Sequence, residues 1–180
     1  FAVPLAAISS APAQGAQADL DPATGPMVGH VSSDAARLWY RPGGKPGRYQ
    51  LIIRDASTGD VVRQVEAAAT PENDHCIHWL ANGLKPLTRY RYAIMHHGQS
   101  VVEGDDLQFQ TAPASSTPAV ASLAFGSCAH IKPIKLWSDI EAAKVDGLVL
   151  LGDTPYIDST DLAFARTRHR EFCRSRRLPS

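Results

Sequence analysis

A thiol, a carboxylate and a phenol, at spacings that suit metal chemistry, lie in the second half of this chain of 180 residues. Cys128 follows one apolar stretch, and Asp153 follows another. Tyr156 comes three residues after Asp153, so a tight turn can fold its hydroxyl back towards the carboxylate. Metal coordination removes the proton from a thiol or a phenol. The three residue types therefore predict a metal-binding pocket, provided that the two apolar stretches lie side by side.

Two strands and an intervening helix are predicted to place these side chains. Residues 120–125 have the pattern of a strand, and residues 147–151 contain four consecutive aliphatic residues, typical of a strand covered on both faces. Pro133 suits the first position of a helix, whose predicted apolar face consists of Leu136, Trp137, Ile140 and Ala143. A strand, a helix and a strand in close succession predict a right-handed βαβ unit with two parallel strands. Cys128 and Asp153 would then converge on one crevice at the carboxyl ends of these strands.

Each of the three residues also has a purely structural interpretation. Cysteines are often simply buried beside strands, and Gly-Asp is common where a strand meets a turn. Tyr156 could serve only to cap the sheet. Taken singly, each residue favours the structural interpretation, so the metal hypothesis depends on the conjunction of both motifs in one βαβ unit.

The two motifs are Phe125-Gly126-Ser127-Cys128 and the run 151–158, which contains Gly-Asp-x-x-Tyr. They resemble the motifs of the PhoD-like alkaline phosphatase and phosphodiesterase family, a branch of the calcineurin-like metallophosphoesterases. The resemblance implies that Cys128 and Tyr156 bind iron(III) and that Asp153 bridges it to a second metal, usually calcium. It also implies hydrolysis of phosphate mono- or diesters by a metal-bound hydroxide, without a protein nucleophile.

Residues 24–112 have the pattern of an all-β sandwich, in which short strands alternate with turn signals. Within them, residues 83–94 resemble the corner before the sixth strand of fibronectin type III domains, where the hydroxyl of Tyr90 would bond back to nearby backbone. Residues 107–112 resemble the last strand of the same module. The histidines of this part are expected to be solvated or locally hydrogen-bonded rather than metal ligands, namely His75, His78, His96 and His97.

Composition argues against several other classes of partner. The formal net charge is zero, so no nucleic-acid-specific signal is present, and no segment is long enough to span a membrane. Residues 1–18 are apolar and rich in small residues, and Ala16-Gln17-Ala18, just before Asp19, has the shape of a signal-peptidase site. We interpret this segment as the remnant of a signal peptide, which predicts a periplasmic or extracellular protein, with a disordered Ala/Pro linker as the alternative.

The expected organisation is therefore a signal remnant (1–23), a fibronectin type III-like sandwich (24–112), a linker (113–119) and the first βαβ unit of a metallophosphoesterase domain (120–180). We expect this last domain to be truncated, since the later histidines of the resembled family are absent, and the fragment alone to be inactive. The alternative is a non-enzymatic exported module, whose sandwich binds a wall polymer or partner. A thiol-redox role for Cys128 is disfavoured because the chain lacks Cys-x-x-Cys.

Residues 161–172 predict a final helix. Its apolar face would consist of Leu162, Ala165, His169 and Phe172. Its arginines lie elsewhere on the helix, at positions 166, 168 and 170. A solvated basic face is favoured over one that steers anionic substrate.

Overall fold

The computed structural model describes residues 21–129 and 135–175. Residues 1–20, which carry most of the predicted signal remnant, and Pro133 lie outside these ranges. The β-strands of the first part are β1 (Thr24–Val31), β2 (Ala35–Arg41), β3 (Gly47–Asp55), β4 (Val61–Ala69), β5 (Ile77–Asn82), β6 (Arg89–His96), β7 (Gln99–Val102) and β8 (Gln108–Gln110). The second part contains β9 (Leu123–Gly126), the helix α1 (Leu136–Ala142), β10 (Gly147–Leu150) and the helix α2 (Leu162–Ser175).

The first part is a β-sandwich, as predicted. One sheet has the order β1-β2-β5, and the other has the order β4-β3-β6-β7, with β8 also pairing with β6. The strands alternate between buried and exposed positions, and in β5 the buried residues are Ile77, Trp79 and Ala81. Equivalent apolar positions of β2, β3 and β6 close the core from both sheets. Burial of alternate side chains is what holds the register of such strands.

The predicted tyrosine corner is confirmed. The backbone N–H of Lys85 donates a hydrogen bond of 2.8 Å to the hydroxyl of Tyr90, whose side chain is 1% exposed. This bond attaches the loop that precedes β6 to the second residue of that strand.

Two strands were not predicted, and both lack a clear apolar alternation. β1 contains Gly25, Pro26 and Gly29, residues that normally interrupt strands. It lies at the edge of its sheet, where a proline without an N–H is tolerated. β7 is joined to β6 by the two-residue turn His97-Gly98, in which both residues have positive φ, as tight hairpin turns require.

The second part contains the predicted parallel strand pair. β9 and β10 pair directly, with Leu123 opposite Gly147 and Phe125 opposite Val149. One face of this two-stranded sheet packs against a small cluster of Ala129, Trp137 and Phe172, onto which Leu150 also packs.

The expectation that the second strand is covered on both faces is wrong for the part of the chain that the structure describes. The exposed fractions are 64% for Phe125, 40% for Val149 and 68% for Leu151. The sheet has two strands here, and α1 and α2 supply apolar cover to one face, so the other face stays open to solvent.

The expectation that the arginines of α2 form a solvated face is also wrong. Leu162 is 63% exposed and His169 is exposed, so the predicted apolar face does not pack as a unit. The face with Arg166 and Arg170 is half-buried instead, and α2 contacts β1 of the sandwich. Guanidinium groups can be buried at an interface when carboxylates and carbonyls pair with them. Within the described ranges, no helix is long and apolar enough to cross a membrane.

Candidate metal centre

Two backbone hydrogen bonds extend the pairing of β9 and β10 into the loops that follow them. The N–H of Leu151 donates to the carbonyl of Gly126 at 2.7 Å, and the N–H of Cys128 donates to the carbonyl of Gly152 at 3.1 Å. The loop after each strand is therefore held against the loop after the other. This pairing accounts for the meeting of side chains that are far apart in sequence.

Cys128 and Asp153 meet at this edge of the sheet. The Cys128 Sγ lies 3.8 Å from the Asp153 Oδ2, and both side chains are exposed to solvent. Both residues have left-handed backbone, with φ of 58° and 48°. A left-handed conformation costs a non-glycine residue roughly 1–2 kcal/mol, and such residues cluster at functional sites.

Tyr156 is the third member of the pocket. The Thr154–Pro155 peptide bond is cis, and the Thr154 hydroxyl donates to the carbonyl of Gly152 at 2.8 Å, which closes the turn before Tyr156. A hydrogen bond with Cys128 raises the pKa of Tyr156 to about 12, and the negative charge of Asp153 acts in the same direction. The structure thus brings together all three residues that the sequence singled out.

Asp158 is a further acidic residue of this loop to which the sequence analysis assigned no role. Asp158 lies two residues after Tyr156, and its charge also raises the pKa of that tyrosine. The sequence could have indicated Asp158, because this residue lies in the run 151–158, which carries the Gly-Asp-x-x-Tyr motif.

The residues next to the candidate ligands belong to a small apolar cluster. Ala129, which directly follows Cys128, is 7% exposed and belongs to the cluster with Trp137 and Phe172. The two aromatic rings meet edge to face, with centroids 6.3 Å apart. Leu150, which ends the strand before Asp153, packs on the same cluster. Both loops therefore rest on one small packed unit formed with α1 and α2.

The histidines of the sandwich do not join this pocket. The His96 Nδ1 lies 2.9 Å from the backbone carbonyl of Arg48, and its ring stacks on Tyr49, as expected of a locally hydrogen-bonded histidine. His78 is exposed on β5.

The types of donor atom in this pocket suit a metal ion, but the donor side chains are few. Within residues 21–129 and 135–175, no three side chains of His, Cys, Asp or Glu are close enough to hold a metal ion. The pocket has two such residues, and its third donor is the phenol of Tyr156. Thiolate and hard oxygen donors in one pocket fit a transition metal better than magnesium.

The comparisons with known proteins support the fold. No protein-family model and no curated protein matches the chain. The solved structure of PhoD is similar with a TM-score of 0.69 and 22% identity, over 87% of this chain and 35% of that chain. The chain thus has a PhoD-like fold and spans about a third of the length of that structure.

Fibronectin type III domains are also similar, at lower scores. The FN5 domain of Drosophila Lar has a TM-score of 0.37 and 10% identity, over 52% of this chain and 98% of that chain. The fourth FNIII domain of a human protein has a TM-score of 0.37 and 19% identity, over 54% of this chain and 83% of that chain.

Proposed function

We propose that this chain is part of a PhoD-like, metal-dependent phosphoesterase and that Cys128, Asp153 and Tyr156 are metal ligands. The observation that carries the proposal is the convergence of these three donors beyond the carboxyl ends of two parallel strands. The Cys128 Sγ and the Asp153 Oδ2 are 3.8 Å apart, and Tyr156 bonds to the same thiol. The PhoD-like fold supports the same proposal.

A metal in this pocket would lower the pKa of a bound water and offset the charge of a phosphoryl group. The residues of the chain have three tasks. Asp153 would contribute a carboxylate beside the thiol of Cys128. Cys128 and Tyr156 would give up their protons on coordination, since a cation would reverse the effect of the surrounding negative charge on the pKa of Tyr156. By family resemblance, Cys128 and Tyr156 would hold iron(III), and Asp153 would share it with calcium.

For the whole protein, we propose hydrolysis of phosphate mono- or diesters by a metal-bound hydroxide. The proposal concerns the whole protein because this chain spans only 35% of the PhoD structure. Export to the periplasm or the extracellular space is part of the same proposal, on the basis of the small-residue pattern at Ala16 and Ala18. The alternative of a non-enzymatic exported sandwich is not favoured, because the likeness to PhoD covers 87% of the chain and extends beyond the sandwich.

Titration of the purified chain with iron(III) tests the proposal. We expect the visible absorption band of a phenolate bound to iron, and Tyr156→Phe should abolish it. Cys128→Ala and Asp153→Asn should each weaken iron binding by roughly tenfold or more, as expected when a ligand is lost. The matched controls are Cys76→Ala, which removes a thiol of the sandwich, and Asp105→Asn, which removes an exposed carboxylate. A wild-type chain that binds no iron, or a Tyr156→Phe variant that keeps the band, would contradict the proposed ligand set.

A further inference from the structure

A buried arginine of the sandwich forms the centre of an ion-pair cluster. Arg41, in the last position of β2, is 1% exposed. Its Nη1 and Nη2 donate to the two carboxylate oxygens of Asp21 at 2.7 and 2.6 Å, in a bidentate pair. Its Nε donates to the backbone carbonyl of Asp74 at 2.9 Å and lies 3.3 Å from the carboxylate of the same residue. Charge-assisted bonds of this kind are the strongest hydrogen bonds in proteins.

α2 supplies two further arginines to the same carboxylates. Arg170 Nη1 lies 2.8 Å from Asp74 Oδ1, and Arg174 Nη2 lies 3.3 Å from Asp21 Oδ1. Residues four apart share one face of a helix, so both arginines point the same way. Arg41, Asp21, Asp74, Arg170 and Arg174 are called the ion-pair cluster below.

The other side of α2 contributes to the small apolar cluster next to the candidate ligands. Phe172 follows Arg170 by two residues, which places it on the opposite side of the helix. It is 3% exposed and packs with Trp137 and Ala129. Ala129 is covalently joined to Cys128. One helix thus contacts the sandwich on one side and the packing beneath Cys128 on the other.

We propose that Arg41 and Asp74 of the sandwich are positioning residues for the pocket of Cys128 and Asp153, and that they act through Arg170 and Phe172 of α2. The importance of this positioning for catalysis rests on the proposed function, whereas the positioning itself does not. The sandwich has a continuous core, whereas the pocket loops rest on the small cluster that includes Phe172. A site held on loops needs such support from a rigid element.

The energetics favour a strong link. Asp74 is 18% exposed and Arg170 24% exposed, so their pair is less screened by solvent than a surface pair. Removing Arg170 leaves Asp74 with Arg41 as its remaining partner, whereas removing Asp74 takes a carboxylate from both arginines. Either change breaks this contact between α2 and the sandwich, and loss of one partner of a largely buried pair is destabilising. The pair of Arg168 and Glu171, at 3.1 Å, provides a natural comparison because both of its partners belong to α2.

Amide hydrogen exchange in the metal-free chain tests the proposal without reference to activity. The reporters are the N–H groups of Cys128 and Leu151, which tie the two pocket loops together. In Arg170→Gln we expect both amides to exchange roughly threefold to tenfold faster, which corresponds to the loss of one hydrogen bond of ordinary strength. Arg170→Lys should restore most of the protection. Arg168→Gln makes the same change of charge two residues earlier in the helix and should leave both amides as in the wild type.

Amides in the paired strands β3 and β6 separate positioning from a general loss of stability. They should keep their wild-type protection in Arg170→Gln. The proposal is overturned if Cys128 and Leu151 exchange as in the wild type, if Arg168→Gln has the same effect, or if the β3 and β6 amides accelerate to the same extent.

A second variant makes the result independent of any single substitution. Asp74→Asn removes the partner of Arg170 on the sandwich side, and the double variant should exchange no faster than the faster single variant, because both changes break one link. If the double variant accelerated exchange by the product of the two single accelerations, the two residues would act independently and the link would be contradicted.

Iron binding by the wild-type chain distinguishes the two proposals. If the chain binds no iron but the exchange results are as expected, the proposed function fails and the positioning stands. If it binds iron but exchange is unchanged, only the positioning fails.

Discussion

The two side chains that approach each other in the candidate metal centre belong to residues with left-handed backbone. Cys128 and Asp153 have φ of 58° and 48°, a region that costs any residue with a Cβ some free energy. The loops keep this conformation because backbone hydrogen bonds from Cys128 and Leu151 hold them across the strand ends. The surrounding sheet therefore holds these two residues in a strained conformation, and the candidate ligands lie at the strained positions.

A comparison of Asp153→Gly with Asp153→Ala tests this account. Both variants remove the carboxylate, but glycine adopts positive φ without the steric cost that alanine retains. We expect the glycine variant to have a free energy of unfolding about 1 kcal/mol higher than the alanine variant, measured by urea denaturation. Equal stabilities would indicate that the left-handed backbone at this position carries no strain.

At the level of elements, the loop between β5 and β6 shows how one side chain fixes a connection. The hydroxyl of Tyr90 accepts the N–H of Lys85, five residues earlier in the chain. Tyr92 lies on the same strand and is also buried in the core. The two tyrosines therefore share burial and differ in this bond to Lys85.

Tyr90→Phe should lower the free energy of unfolding by about 1–2 kcal/mol, because the N–H of Lys85 loses its acceptor near the core. The matched variant Tyr92→Phe removes a hydroxyl from the same strand without taking the acceptor from Lys85, and it should cost clearly less. Chemical denaturation followed by tryptophan fluorescence measures both, with Trp79 as the core reporter. A Tyr92→Phe cost as large as that of Tyr90→Phe would contradict the role assigned to the corner.

For the whole molecule, the ion-pair cluster links the sandwich to the second part of the chain. Burial opposes the charge of Arg41, but its hydrogen bonds to Asp21 and Asp74 outweigh this effect and raise its pKa. The hydrogen bond from Arg41 lowers the pKa of Asp21 below its usual value of 3.8, with further contributions from the charges of Arg170 and Arg174. The link is thus strongest when Asp21 is ionised.

The lowered pKa of Asp21 predicts how stability depends on pH. A carboxyl group whose pKa is lower in the folded than in the unfolded state contributes stability above the unfolded pKa. That contribution is lost as the pH falls through the folded value. The free energy of unfolding should therefore fall as the pH is lowered below about 4, and less steeply in Asp21→Asn. Urea denaturation between neutral pH and strongly acidic pH measures this, and equal slopes for the two proteins would contradict the prediction.

Much of the local structure follows from the sequence, because its causes are local. In β5 the buried Ile77 and Trp79 alternate with exposed neighbours, a local pattern typical of a sandwich strand, since a strand turns successive side chains to opposite faces. The tyrosine corner depends on residues within one short segment. β1 was missed because Pro26 and its neighbouring glycines disguise a strand that only its edge position permits.

Residue types and spacing by themselves determined the candidate ligands, since each of Cys128, Asp153 and Tyr156 lies at a fixed offset from an apolar strand. They also determined that β9 and β10 would pair in parallel and bring the first two together. Only the tertiary structure decided which faces are covered. Phe125 and Val149 look like core residues but are exposed, because burial depends on what packs opposite them. Arg170 looks like part of a solvated face but is paired, because its partner, Asp74, lies about a hundred residues away in the chain.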